Sequence, residues 1–164
     1  MATIAVDFLW GTGWMSKLIG QFGFPQGPSH CASVINDGRY LDSRDNVIAG
    51  VPAGVHIRRP ETEAFVKKQR ARYEVGPNVY AEWEANLRAK ITTDYDRSAI
   101  LGFLEGKSMH TAGKWICSAL AINAVQHIKL VPYPLPIPAH EISPDAALLI
   151  LATAGFTIGP VTTP

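Results

Sequence analysis

The sequence predicts an α+β domain in which an antiparallel sheet packs against helices. Three observations point there. Strand-like runs dominate the chain up to Arg58, helix-like runs dominate it from Pro60 to Ala154, and HCASVI-NDG-RYLDS, beginning at His30, reads as a β-hairpin. A length of 164 residues suits one domain, 1–164, and 47% hydrophobic against 18% charged is a globular balance that excludes disorder and a charged coiled coil. The formal net charge of +1 leaves no global basic footprint for nucleic acid or an anionic membrane. Two cysteines cannot make a disulfide scaffold, so thiol chemistry and burial are the readings open to them.

Ile4–Leu9 is apolar and partly β-branched, which predicts an edge or buried strand, with Asp7 interrupting the apolar run. Gly11-Thr12-Gly13 ends it, and the spacing of Trp14, Leu18, Ile19 and Phe22 predicts a short helix. Two glycines without the third, or a following acid, do not meet the dinucleotide fingerprint, so no nucleotide cofactor is expected. The proline loop FPQGPS leads into the hairpin, where Asn36-Asp37-Gly38 suits a three-residue loop closed by a left-handed glycine. Val55–Arg58 reads as a further short strand.

Pro60 with Glu61 and Glu63 is a helix-start composition, so ETEAFVKKQRARYEV is expected to be helical until Gly76-Pro77 stops it. Val79, Trp83 and Leu87 at i, i+4 spacing predict an amphipathic helix, and Asp94 to Glu105 predicts another, ended by Gly106. WICSALAINAVQHIKL is apolar nearly all round over three turns, which marks a buried helix starting at Cys117 or Ser118. Prolines 132, 134, 136 and 138 impose an extended crossing, and the interleaved Val131, Tyr133, Leu135 and Ile137 favour packing on the domain over a proline ligand for a partner. Ser143-Pro144-Asp145 launches a last helix through Ala154, with a terminal strand around Phe156–Ile158. No basic stretch precedes the first apolar run, and glycines and prolines break the uncharged tail from Ala146, so the expectation is a soluble, cytoplasmic chain with no signal and no transmembrane segment.

The chemistry centres on Cys117. A helix N-terminus concentrates roughly half a positive charge, which favours thiolate and supplies N–H donors for an oxyanion; the bland reading, which position alone favours, is a buried cysteine that fills the core. His30 is the best-placed base of five histidines, because it opens a strand directly after a proline loop; His56, His110, His127 and His140 have local explanations. A three-residue hairpin loop pairs Val34 with Tyr40, Ala32 with Asp42 and His30 with Arg44, which sets Asp42 diagonal to His30 on one face. A two-residue loop would turn Asp42 away and leave it a surface acid. Cys31, on the opposite face without a helix dipole, is the rival nucleophile and reads as a packing residue. Cys31, His30, His110 and Cys117 lack zinc-ligand spacing, so no metal is expected.

PSHCASVINDGRYLDS resembles the histidine strand, and KWICSALA the cysteine helix, of the circularly permuted papain-like amidases, the YiiX-like branch of the NlpC-type cysteine peptidase superfamily. In that branch the histidine precedes the cysteine, as here, and GVHIR, TDYDRSAILGFL and ISPDAALLI are similar to further family elements. The resemblance implies a permuted papain-like fold, Cys117 as nucleophile, His30 as base, Asp42 as orienter, and Tyr95 near the cysteine toward the oxyanion. It also implies a thiol hydrolase of amide or acyl bonds, acting on a small peptide, a cell-wall fragment or a lipid. Cys-Ser-Ala at 117–119 replaces the family's commoner Cys-Ser-Glu, and Asp42 the frequent Glu. The alternatives are a non-catalytic binding or assembly protein on the same fold and an acyltransferase working through a thioester.

Overall fold

In the computed structural model, which describes residues 1–12, 27–105, 107–132, 135 and 137–164, strand β1 (Ala2–Gly11) runs through the interior of an antiparallel sheet. On one side it pairs with β2 (His30–Val34), from Ala5–Val34 to Leu9–His30; on the other it pairs along its full length with β5 (Phe65–Val75). With β3 (Tyr40–Arg44), β4 (Gly54–Arg58) and β6 (Thr157–Ile158) the order is β4-β3-β2-β1-β5-β6. The first strand is therefore buried within the sheet and is not an edge. Asp7 survives there, fully buried, because its carboxylate accepts hydrogen bonds from the Tyr40 hydroxyl at 2.7 Å and from the Arg70 guanidinium at 2.5 and 2.7 Å.

The helix expected over 61–75 is corrected by the structure. The proline and acids do start a helical turn, but it stops after a 3-10 turn at Pro60–Thr62, and β5 follows. From Ala71 onward the period is two: Ala71, Tyr73 and Val75 lie inward while Arg72 and Glu74 are exposed. Pairing with all of β1 overrides a local composition that favours a helix, because the ladder runs from Ala2–Val75 to Gly11–Phe65 with a single register shift, at Trp10/Gly11.

Four α-helices occur among the described residues: α1 (Pro77–Arg88), α2 (Arg97–Glu105), α3 (Cys117–His127) and α4 (Pro144–Thr153). Their starts follow the expected chemistry: Pro77 and Pro144 occupy first-turn positions, and the Ser143 hydroxyl accepts the Ala146 N–H at 3.4 Å. Helix α3 lies in the middle, packed against β2, β3, α1 and α4. Ile4, Val6, Phe8, Leu41 and Val55 of the sheet meet Trp83 and Leu87 of α1, Leu120, Ile122 and Val125 of α3, and Leu151 of α4 in one core. Each such side chain contributes roughly 1.5–3 kcal/mol on burial. That core fixes where the N-terminus of α3 meets the sheet. The short helix expected after Gly13 lies outside the described residues, as do Tyr133, Pro134 and Pro136 of the proline run; Val131 is buried and Leu135 packs against the core.

The hairpin takes the expected loop. Gly38 sits at φ +79° and donates its N–H to the Ile35 carbonyl at 2.8 Å, while Ile35 N–H reaches the Arg39 carbonyl at 3.0 Å. Val34 pairs with Tyr40 and Ser33 with Leu41. There the β2–β3 ladder ends. The expected pairs Ala32–Asp42 and His30–Arg44 are not ladder pairs, because β2 and β3 part beyond Ser33, each remaining bonded to its outer neighbour, β1 or β4.

Candidate active site

Into the seam between the parted strands comes the N-terminus of α3. Ile116 caps the helix without a side-chain bond, Cys117 is its first residue, and the Leu120 N–H is the donor that reaches back to the Ile116 carbonyl. The amides of the first turn before it have no acceptor within the helix, which is the property an oxyanion needs. The Ser43 hydroxyl of β3 donates to the Trp115 carbonyl at 2.7 Å, and Ser118 donates to the Ile142 carbonyl, so strand, helix start and the segment before α4 are tied together. The Cys31 backbone N–H, which a continuing ladder would give to Ser43, is directed to the Cys117 sulfur.

His30 reaches the same sulfur. Ser29 N–H and Ser29 hydroxyl both address the Leu9 carbonyl, while His30 is itself the partner of Leu9, so two residues at the entrance of β2 oppose one residue of β1. Such a bulge bends a strand and re-aims its side chains. Nε2 of His30 lies 2.7 Å from Oδ2 of Asp42, and the ring also hydrogen-bonds Cys117. The expected His30–Asp42 contact is therefore made, across the open seam instead of within a ladder. All three groups are buried, with Cys117 7%, His30 5% and Asp42 1% exposed.

Asp42 carries two further cations. Arg58, itself 2% exposed, donates Nη1 to Asp42 Oδ1 at 2.5 Å and Nη2 to the Pro52 and Gly54 carbonyls at 2.7 and 3.3 Å, and Arg44 Nε stands 3.4 Å from Asp42 Oδ2. Arg44 also bonds Glu63. Burial opposes the carboxylate, but the His30 hydrogen bond and the charges of His30, Arg44 and Arg58 outweigh it and hold Asp42 below its ordinary value.

For Cys117 the largest influence is a hydrogen bond from the Cys31 side chain; burial opposes ionisation, and the charge and hydrogen bond of His30 and the Cys31 amide favour it. The sulfur is held well below its ordinary value. Cys31 goes the other way, kept a thiol by its hydrogen bond to Cys117, by burial and by the Cys117 charge. Burial and Arg44 work against a charged His30, yet the Cys117 charge and the hydrogen bonds to Asp42 and Cys117 prevail, and its value is pushed up to about 9. Each shift favours the charged form of its group, so a charged ring and an ionised sulfur would stabilise one another here.

Tyr95 lies in the segment before α2, bridged in parallel to Trp115, and its hydroxyl is held protonated by burial and then by the Cys117 charge. It also lines a cavity of about 410 Å³ with Asp94, Arg97, Ser98, Thr111 and Lys114. The structure thus brings together Cys117, His30 and Asp42, with Tyr95 near enough for the Cys117 charge to act on its hydroxyl. His127, 3.4 Å from Glu82, and the stacked His110 and His140 stand elsewhere.

Cys31 is more than the packing residue the sequence suggests. Strand alternation hides its role, since its access to Cys117 depends on β2 and β3 separating. Arg58 and Arg44 were also beyond the sequence reading. The available signal was Asp42 itself: a buried acid between strands demands cations, and Arg44 and Arg58 are the nearest on β3 and β4. Compared with models of known families and with curated proteins, the chain matches none.

Proposed function

We propose that the chain is a cysteine hydrolase of amide or acyl bonds, built on a circularly permuted papain-like fold. One observation carries the reading: a buried cysteine at the first position of a helix, beside a histidine whose ring a carboxylate holds at 2.7 Å. Cys117 attacks the substrate carbonyl, and the unpaired first-turn amides, with the protonated Tyr95 nearby, take the oxyanion. His30 begins protonated and gives its proton to the leaving amine or alcohol. Now neutral, it takes a proton from the water that clears the thioester, while Asp42 keeps the ring oriented and Arg58 keeps Asp42 ionised and in place.

Substrates of the proposed class are peptides, including peptidoglycan-derived ones, and acyl esters; the polar cavity beside Tyr95 suits the flank of such a chain. The test is incubation with peptide-amide and acyl-ester panels, with product release and the mass of Cys117 followed together. A thioester on Cys117, absent in Cys117→Ala, is expected. Preferential passage of that thioester to an amine or alcohol would make the reaction acyl transfer. Turnover unchanged in Cys117→Ala, or iodoacetamide labelling of Cys117 at pH 6.5 no faster than that of a free thiol, would overturn the reading.

A further inference from the structure

We propose that Cys31 and Cys117 form a reversible intramolecular disulfide, a modification site that masks the nucleophile under peroxide. They are the only two cysteines of the chain, both are free thiols buried in one core, and their side chains are hydrogen-bonded to each other. The Cys31 N–H also points at the Cys117 sulfur, so backbone and side chain of one cysteine converge on the other. Room for the bond comes from the seam: with no ladder pair between β2 and β3 beyond Ser33–Leu41, β2 can close on α3 without breaking a bond to β3.

The chemistry balances with hydrogen peroxide as the two-electron oxidant. The Cys117 thiolate attacks one peroxide oxygen and the O–O bond breaks. Hydroxide leaves and takes the proton of the His30 imidazolium, giving one water and a sulfenic acid on Cys117. The Cys31 sulfur then attacks the sulfenic sulfur, the S–O bond breaks, and the departing hydroxide carries off the Cys31 proton as a second water. Two thiols are oxidised, one peroxide is reduced to two waters, and a dithiol reductant reverses the change. The inference rests on the thiolate of the proposed site but not on hydrolysis, so its readout is mass and thiol count and not turnover.

The full chain is treated with a few equivalents of hydrogen peroxide, quenched, denatured without reductant, and analysed by thiol titration, intact mass and non-reducing electrophoresis. Free thiols are expected to fall from two to none and the mass by about 2 Da, with the chain still monomeric and dithiothreitol restoring both. In Cys31→Ser, which keeps a hydrogen-bond donor beside the sulfur, dimedone should trap Cys117 as the sulfenic acid, and mass should instead rise by about 16 and then about 32 Da. The inference is overturned if wild type accumulates the dimedone adduct as fully as Cys31→Ser, or if its disulfide forms only between chains. Wild-type mass and thiol count decide it even where the variant fails to fold.

Discussion

His30–Asp42 and His110–Asp96 are the same pair of groups at nearly the same separation, 2.7 and 2.5 Å, in two regions of one molecule. Around the first, Arg58 and Arg44 flank the carboxylate and the ring meets a thiolate. Around the second, the Asp96 carboxylate accepts from the Ser98 hydroxyl and from the Ala99 and Thr111 amides, which caps α2 and pins the loop after it; His110 stacks on His140 at 4.5 Å. One carboxylate orients a base, and the other holds a helix end. What distinguishes them is the third group: a sulfur at a helix N-terminus in one, and backbone donors in the other.

Exchanging the two histidines for glutamine is the harshest way to break that comparison. His30→Gln should lower turnover on any substrate of the proposed class by about 10²–10⁴-fold, the usual contribution of a positioned acid–base group, while His110→Gln should change it less than about twofold. Steady-state kinetics on both variants checks this, and equal losses would erase the distinction. Next comes Arg58→Met, which leaves the buried Asp42 carboxylate without its closest cation. A destabilisation of about 3–5 kcal/mol in urea unfolding is expected, with part of it recovered in Arg58→Met/Asp42→Asn, where the stranded charge is removed as well.

Acidity separates the sites further. Because His30 is raised from 6.5 to about 9 in the folded chain, its contribution to stability is complete below pH 6.5 and is lost as pH rises through about 9. Asp42, lowered from 3.8, contributes above that value and loses its contribution as pH falls below it. Turnover should therefore decline above about pH 9 as the imidazolium proton is lost, and iodoacetamide labelling of Cys117 should stay fast at pH values where a free thiol has become slow. A labelling profile centred on the ordinary thiol value would remove the imidazolium–thiolate pair. The smallest effect is at the other region: Asp96→Ala should reduce stability by about 1 kcal/mol through the lost cap, measured by urea unfolding, with turnover retained.

Much of this was legible from residue order alone. Asn36-Asp37-Gly38 dictated a loop length, the loop length dictated a register at Val34–Tyr40, and that register put Asp42 on the His30 side. The helix with Cys117 at its head followed from an apolar run bounded by polar residues. What escaped depended on partners distant in sequence. Nothing within 61–75 says that β1 will pair along its whole length, so a helix-start composition misled. Nothing within 30–44 says that α3 will replace a ladder bond, so Cys31 looked inert and the two arginines had no stated purpose.

The seam between β2 and β3 has a consequence for how the site is assembled. Residues 30–44 can close their turn as a local event, but the Cys31 amide waits for a sulfur that belongs to a helix formed much later in the chain. Protection of that one amide from solvent exchange reports the docking of α3 and not the formation of the sheet. A fluctuation that lifts α3 would take the sulfur away from the Cys31 amide while leaving the hairpin's own turn bonds in place.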